Sequence, residues 1–206
     1  MRRGSAAAVT LVLSAVCAGC GNWDGFGFRA NGREMPRLRQ ALALETRAVV
    51  ADVGAGKGQL TFALAKELAA NGHVFSTEID PGRLRRLREA VAAAKLDNVT
   101  VVEAYSSETG LPPNCCDAIV LRRVYHHLTN PSGINASLLR SLRPGGVLAV
   151  IDFPPPFFLS RGQSGVPANV VISEVTSSGF ELLRLIDDWP GRGPLASYCV
   201  VFRKPP

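Results

Sequence analysis

The stretch VVADVGAGKGQLTFALAKELAANGHVFSTE, residues 49–78, carries the pattern on which the rest of the chain depends. An apolar run ends in the glycine turn of residues 54–58, an apolar-periodic segment follows at helical spacing, and a second apolar run ends in Glu78. This order of strand, glycine turn, helix, strand and acidic residue is typical of a nucleotide-binding βαβ unit. Glycines let the backbone approach a ligand, and the amides at the helix start favour an anionic group. A carboxylate at the tip of the second strand can accept hydrogen bonds from a ribose diol.

The spacing of the glycines argues against two common nucleotide-binding motifs. A dinucleotide fingerprint requires G-x-G-x-x-G, but Gln59 occupies the position of the third glycine. A phosphate-binding P-loop requires Ser or Thr after its lysine, but Gly58 follows Lys57. What remains is the pattern D-x-G-x-G-x-G of residues 52–58.

This pattern resembles the first motif of the class I S-adenosylmethionine-dependent methyltransferases. The resemblance implies that Gly54, Gly56 and Gly58 pass close to the methionine part of S-adenosylmethionine, and that Glu78 binds its ribose hydroxyls. In that family an acidic residue near positions 105 and 106 commonly contacts adenine; here Tyr105 would lie over the base, or Glu103 would substitute. The cofactor-binding residues implied by the resemblance are Asp52, Gly54, Ala55, Gly56, Gly58, Glu78, Ile79, Tyr105, Ser106 and Arg122.

Further motifs extend the resemblance over residues 35–203. The fourth predicted strand starts at Asp117 in an L-P-x-x-x-x-D-x-[IV] pattern, and the segment after it ends in His-His-Leu. The turn L-R-P-G-G of residues 142–146 leads into a fifth strand. Residues 35–44 are predicted to form a short helix before the first strand. Because successive parallel strands need right-handed crossovers, we predict an α/β, doubly wound Rossmann-like sheet of about seven strands, with helices on both faces and the last strand pair antiparallel.

His126 and His127 are the candidate catalytic residues. Methyl transfer from a sulfonium depends mainly on alignment, but an oxygen or nitrogen nucleophile can also need a base, and histidine titrates near neutral pH. The alternative is that one of the two histidines packs in the interior while the other caps a helix or faces solvent. No metal site is predicted, because adjacent side chains point apart and no third ligand is evident. Tyr125 is either an aromatic wall of the cleft or a core residue.

The first 34 residues lie outside the methyltransferase pattern. Two arginines and the apolar segment of residues 6–16 resemble a bacterial lipoprotein signal with Cys20 as the lipidated residue, although Cys17 stands where that motif usually has leucine. An uncleaved tether, a misassigned start site and an alanine-rich tail are the alternatives. The protein would be membrane-anchored or exported if the signal is real, and cytoplasmic otherwise. The predicted division is a signal peptide or membrane tether (1–20), a linker or cap (21–34) and a methyltransferase domain (35–206).

Composition narrows the partners and the function classes. A net charge of +6 is mild and spread along the chain, which favours a solvated surface over nucleic-acid binding. The adjacent Cys115 and Cys116 are predicted to be reduced thiols.

The leading hypothesis is a methyltransferase acting on a small molecule, with an apolar, proline-stiffened rim at residues 153–158. A dinucleotide-dependent oxidoreductase lacks its third glycine, and a non-catalytic cofactor-binding or tethered scaffold protein is the remaining alternative. The oligomeric state is left open.

Overall fold

The computed structural model describes residues 25–155, 165–190 and 197–206. This part of the chain forms one seven-stranded sheet. Its strands are β1 (Val49–Val53), β2 (His73–Glu78), β3 (Val99–Glu103), β4 (Cys116–Arg122), β5 (Leu142–Asp152), β6 (Glu181–Trp189) and β7 (Ser197–Arg203). Their order across the sheet is β3-β2-β1-β4-β5-β7-β6.

The pairing directions confirm the predicted α/β, doubly wound topology. Strands β1 to β5 pair in parallel, whereas β7 pairs antiparallel with both β5 and β6. The order reverses beside β1, because the chain first builds outward to β3 and then continues from β4 on the other side. In such sheets ligands bind at the carboxyl ends of the strands next to this switch point. From this topology we expect a ligand-binding site at the carboxyl ends of β1, β2 and β4.

In the described ranges, five α-helices cover the two faces of the sheet. They are α1 (Gly25–Leu42), α2 (Gln59–Leu68), α3 (Pro81–Ala93), α4 (Pro131–Ser141) and α5 (Ala168–Ser177). One buried apolar cluster joins α1 and α2 to the sheet through Leu38 and Leu64, and another joins α4 and α5 through Leu138 and Val171. Successive side chains of a strand alternate between the faces, so each face of the sheet has its own core.

Helix α1 begins ten residues earlier than predicted. The sequence places the helix start at residue 35 and a linker before it, but the structure continues the helix back to Gly25. Glycine and asparagine in this segment weaken the helical pattern, and Pro36 lies inside the helix. Contacts of Glu34 with Arg122 and Trp189, far away in the chain, hold this part of α1 against the domain. The domain boundaries themselves remain predictions.

Several sequence predictions concern residues at or beyond the limits of the described part. The predicted signal or tether of residues 1–20, including Cys20, lies outside the described residues, as do residues 156–158 of the proline-rich rim. Cys115 and Cys116 are both free thiols, as predicted. Within the three described ranges, no helix is long and apolar enough to cross a membrane.

Replacing Leu148 with alanine should lower the free energy of unfolding by about 2–5 kcal/mol, because the side chain is fully buried in the middle of β5 and would leave a cavity. Urea denaturation measures this difference. The control is Leu182→Ala on the edge strand β6, where the side chain is 44% exposed, and it should change stability by no more than about 0.5 kcal/mol. Equal losses in the two variants would contradict this placement of the core.

Candidate active site

The three glycines of the turn after β1 all have positive φ, but they are required for different reasons. The φ values are 75° at Gly54, 57° at Gly56 and 81° at Gly58. A Cβ atom at Gly54 would lie 2.6 Å from Val124, and one at Gly58 would lie 2.6 Å from Leu87. A Cβ atom at Gly56 would meet nothing within 4 Å. Packing therefore demands glycine at the outer two positions, whereas the middle one faces open space that a ligand can occupy.

The Glu78 carboxylate holds the glycine turn in place. Its Oε2 atom accepts a hydrogen bond from the Gly56 amide at 2.8 Å, and its Oε1 atom accepts from the amides of Ile79 and Asp80 at 3.0 Å. The side chain is only 3% exposed. A carboxylate has about four lone-pair positions, so one acceptor position remains beside Gly56. The sequence prediction assigns this position to a ribose hydroxyl.

Charged side chains converge below the turn, at the end of β1. Asp52 is buried, and its Oδ2 atom accepts a hydrogen bond from the Thr61 hydroxyl at 2.7 Å. Burial raises the pKa of Asp52 from 3.8 to about 6, although the Thr61 hydrogen bond and the Arg122 guanidinium act in the opposite direction. Half of the Asp52 side chains would therefore carry a proton near pH 6 when no ligand is bound.

Arg122 connects this charged region to helix α1. Its Nε atom lies 2.9 Å from Glu34 Oε2, an ion pair whose side chains are 14% and 4% exposed. That oxygen makes no hydrogen bond of good geometry, whereas Oε1 of Glu34 accepts one from Trp189 Nε1 at 2.9 Å. Helix α1 thus contacts Arg122, a residue that lines the polar cavity, through a buried acidic side chain.

Two adjoining cavities meet at Gly54. The first, of about 220 Å³, is polar and is lined by Asp52, Gly54, Ala55, Lys57, Gln59, Leu60 and Arg122. The second, of about 120 Å³, is mostly apolar, and its lining includes Gly54, Thr77, Ile79, Tyr105, Ser106, Val124 and His127. A cleft of about 380 Å³ lies at the opposite edge, between the α1–β1 loop and Arg143. We assign the site to the smaller pair, because ligands of such sheets bind at the carboxyl ends of strands.

The structure brings most of the predicted cofactor-binding residues to these two cavities. Ile79 and Tyr105 form an exposed lip, at 54% and 57% exposure. Gly56, Gly58 and Glu78 are not among the lining residues: Gly56 faces open space, Gly58 lies buried against Leu87 and Phe62, and the buried Glu78 accepts from the Gly56 amide. Glu103, the alternative acidic residue, pairs with Glu78 across the sheet but does not line either cavity. Sequence patterns did not identify Gln59, Leu60 and Val124 as lining residues, or Glu34 as the partner of Arg122.

The two candidate catalytic histidines have different surroundings. The Nδ1 atom of His126 lies 2.8 Å from Asp152 Oδ1, and both side chains are almost fully buried. His127 is exposed and lines the apolar cavity. Partial burial, followed by the neighbouring His126 ring and by Arg83, lowers the pKa of His127 below its usual value. Within the described ranges, no three His, Cys, Asp or Glu side chains form a group that could hold a metal ion.

Tyr125 is a core residue rather than a wall of the cleft. It is 3% exposed, its hydroxyl donates to Glu174 at 2.9 Å, and it accepts a hydrogen bond from Asn135 at 2.9 Å. These contacts connect the turn after β4 to α4 and α5. Of the two alternatives for Tyr125, the structure supports packing.

Comparison with known proteins agrees with this geometry. Residues 51–150 match the model of a methyltransferase domain family. Residues 51–150 are thus identified as a methyltransferase domain. A relative of this domain, the ubiquinone/menaquinone biosynthesis C-methyltransferase of Vibrio cholerae, is 30% identical over 108 residues, which are 52% of this chain. The match covers 42% of that relative, so the chain spans less than half of its length.

Solved structures show that the methyltransferase domain has the fold of S-adenosylmethionine-dependent enzymes. A SAM-dependent methyltransferase from Aquifex aeolicus superposes with a TM-score of 0.70 at 22% identity, over 83% of this chain and 89% of that one. The glycopeptide N-methyltransferase MtfA, complexed with sinefungin, gives 0.70 at 19% identity, over 86% and 88%. At these identities the likeness shows the fold alone.

Replacing Glu78 with glutamine should lower the free energy of unfolding of the ligand-free protein by about 1–3 kcal/mol, because the new amide group would meet backbone N–H donors that the carboxylate now satisfies. Urea denaturation without ligand measures the loss. Glu103→Gln is the matched control, since Glu103 pairs with Glu78 in register but is exposed, and its stability should stay within about 0.5 kcal/mol of the wild type. If Glu78→Gln were as stable as the control, the carboxylate would not be holding the turn.

Replacing Asp52 with asparagine should make the ligand-free protein more stable than the wild type above pH 6. As pH rises from 3.8 to about 6, the unfolded chain releases the Asp52 proton while the folded chain retains it, so the wild type loses stability. At 1.36 kcal/mol per pKa unit the full difference is about 3 kcal/mol.

Urea denaturation of both proteins across this pH range tests the effect. The advantage of Asp52→Asn should grow up to about pH 6 and then stay constant. Asp97→Asn, at an exposed position after α3, is the control and should show no such trend. A difference between Asp52→Asn and wild type that does not change with pH would refute the burial effect.

Proposed function

We propose that the protein is an S-adenosylmethionine-dependent methyltransferase that acts on a small-molecule acceptor. The observation that carries the proposal is the glycine turn: Gly54 lines both a polar and an apolar cavity, and the Gly56 amide, which faces open space, donates to the buried Glu78 carboxylate. S-adenosylmethionine has the matching parts: a charged amino-acid end, a ribose and an apolar base. The match of residues 51–150 to a methyltransferase domain supports the same conclusion.

Different residues of the two cavities and of the glycine turn would contact different parts of S-adenosylmethionine. Asp52 and Arg122 offer opposite charges in the polar cavity, which suits the ammonium and carboxylate groups of the methionine part. The remaining acceptor position of Glu78 suits a ribose hydroxyl. Ile79 and Tyr105 provide apolar surface on which the adenine can lie. Gly56 leaves room for the ligand to pass close to the backbone.

When bound, S-adenosylmethionine supplies a methyl group on a sulfonium. The thioether that is left after the transfer is a good leaving group. The protein then has to align the acceptor with that methyl group and exclude water. Such alignment contributes as much as about 7–11 kcal/mol in well-oriented systems. The carboxyl ends of β4 and β5 adjoin the site, and we place the acceptor there. The Vibrio cholerae relative is a C-methyltransferase of quinone biosynthesis, which supports a small-molecule acceptor.

The glycine substitution Gly56→Ala should weaken the binding of S-adenosylhomocysteine, the product of the cofactor, at least about tenfold, or roughly 1.4 kcal/mol, because its methyl group would occupy the ligand's space. Isothermal titration calorimetry measures the affinity. Gly145→Ala is the matched control: it also has positive φ, 76°, and an empty Cβ direction, but it lies near the start of β5 at the opposite edge. The backbone strain is therefore comparable in both variants.

Release of S-adenosylhomocysteine during turnover, followed with a panel of small acceptors, tests the activity itself. Wild type and Gly145→Ala should bind equally and turn over equally, whereas Gly56→Ala should do neither well. A wild-type protein that does not bind S-adenosylhomocysteine would overturn the proposed function. Binding without turnover of any acceptor would instead favour the non-catalytic alternative.

A further inference from the structure

The carboxylate of Asp152 is fully buried at the end of β5 and is surrounded by N–H groups. Its oxygens lie 2.8 Å from His126 Nδ1, 3.2 Å from the His126 amide and 2.9 Å from the Phe153 amide. An ionised carboxylate only accepts hydrogen bonds, so Nδ1 of His126 must carry the ring proton. In the neutral ring, Nε2 is then an unprotonated acceptor.

The opposite ring nitrogen is available to a ligand. Among the described residues, Nε2 of His126 has no hydrogen-bond partner, and it is not one of the enclosed polar atoms left without one. His126 belongs to the short turn Tyr125–His127 directly after β4, and Asp152 ends the adjacent parallel strand β5. Val124 and His127, on either side of His126 and Tyr125, line the apolar cavity. His126 itself is not among the residues that line the two cavities, but it follows β4 and contacts Asp152 at the end of β5, so its Nε2 atom lies near the strand ends where we place the acceptor.

Aromatic rings surround His126. The ring centroid of His127 lies 3.9 Å away, and that of Phe153 lies 4.9 Å away, on the strand end that also carries Asp152. The two rings pack against His126, and His127 also lines the apolar cavity, where its ring offers a surface for offset or tilted contact with a flat aromatic ligand. The charged and titratable groups that face His126 are Asp152 from β5, the neighbouring His127, and Arg83 of α3 beyond it.

We infer that Asp152 is a positioning residue that orients His126 as a general base, and that the acceptor is an aromatic compound with a phenol-type hydroxyl. This inference rests on the proposed function. As the acceptor oxygen bonds to the methyl carbon, the carbon–sulfur bond of the sulfonium donor breaks and its electron pair stays on sulfur. The hydroxyl proton moves to Nε2 of His126, and the Asp152 carboxylate stabilises the imidazolium that forms. The imidazolium then releases this proton to solvent.

Nuclear magnetic resonance of the full chain tests the orientation without any turnover. The sequence has three histidines, His73, His126 and His127, so ¹⁵N-edited spectra can be assigned with His126→Gln and with the control His73→Gln, at the distant amino end of β2. At a pH above the titration of the ring, His126 should be in the Nδ1–H tautomer. In Asp152→Asn the side-chain amide can donate to Nδ1, so the Nε2–H tautomer should increase, as a misplaced tautomer does in a mutated catalytic triad. Wild-type His126 found with its proton on Nε2 would overturn the inference.

Turnover of phenol and of 4-nitrophenol at pH 8 tests the use of the base. Both His126→Gln and Asp152→Asn should lower kcat for phenol by about 100- to 10,000-fold, while the affinity for S-adenosylhomocysteine stays unchanged. The loss should be much smaller with 4-nitrophenol, which is already ionised at this pH. His73→Gln should leave both rates unchanged. Since His126→Gln removes the base without altering the buried carboxylate, it answers the question even if Asp152→Asn does not fold.

The outcomes separate this inference from the proposed function. A wild-type protein that does not bind S-adenosylhomocysteine would overturn the proposed function and with it the use of the base. If S-adenosylhomocysteine binds normally but His126→Gln lowers kcat equally for both phenols, or lowers it for neither, the role of His126 would be overturned while the proposed function stands. Normal binding with turnover of non-aromatic acceptors but of neither phenol would overturn the acceptor class.

Discussion

The hydrogen bond between the Glu78 carboxylate and the Gly56 amide is the interaction on which the site depends. It joins the turn after β1 to the end of β2, and the same carboxylate also accepts the first amides after β2. In water such a bond would compete with solvent, but this side chain is buried, where charge-assisted hydrogen bonds are stronger. The open space at Gly56 therefore keeps its shape without a ligand. Binding does not have to pay for ordering this turn.

The polar end of the cleft contains groups that oppose folding, so its stability must come from elsewhere in the domain. Asp52 is buried with a raised pKa, and Glu34 and Arg122 form an ion pair that is nearly inaccessible to solvent. Removing one partner of a buried ion pair usually destabilises the folded protein by more than the intact pair stabilises it. The apolar clusters on both faces of the sheet supply the stability that these groups remove. Strained or unfavourable groups supported by a well-packed core are characteristic of binding sites.

The sequence predicted those features that local patterns determine. The strand–turn–helix–strand segment, the seven-stranded sheet and the antiparallel last pair all follow from periodicity, glycine spacing and the handedness of crossovers. The early start of α1, the Glu34 ion pair and the Asp152–His126 contact could not be predicted in this way. Each joins residues from distant parts of the chain, and the pairing of β4 with β5 or the packing of α1 brings them together. Tyr125 was ambiguous for the same reason, because only its contacts with Asn135 and Glu174 show that it is a core residue.

The two halves of the cleft therefore differ in how much a family resemblance can say about them. Most of the proposed cofactor contacts come from the short segment of β1, its glycine turn and β2, so a short motif describes that part, although Arg122, Tyr105 and Ser106 join it from elsewhere in the chain. The acceptor half that we propose lies at the ends of β4 and β5, where side chains from separate segments meet. In the proposed mechanism, a change of one residue there would alter which acceptor atom can lose a proton and would leave the glycine turn and its carboxylate as they are. Hence the acceptor has to be deduced from the contacts of His126, Asp152 and Phe153 in space, because their spacing along the chain carries no information about it.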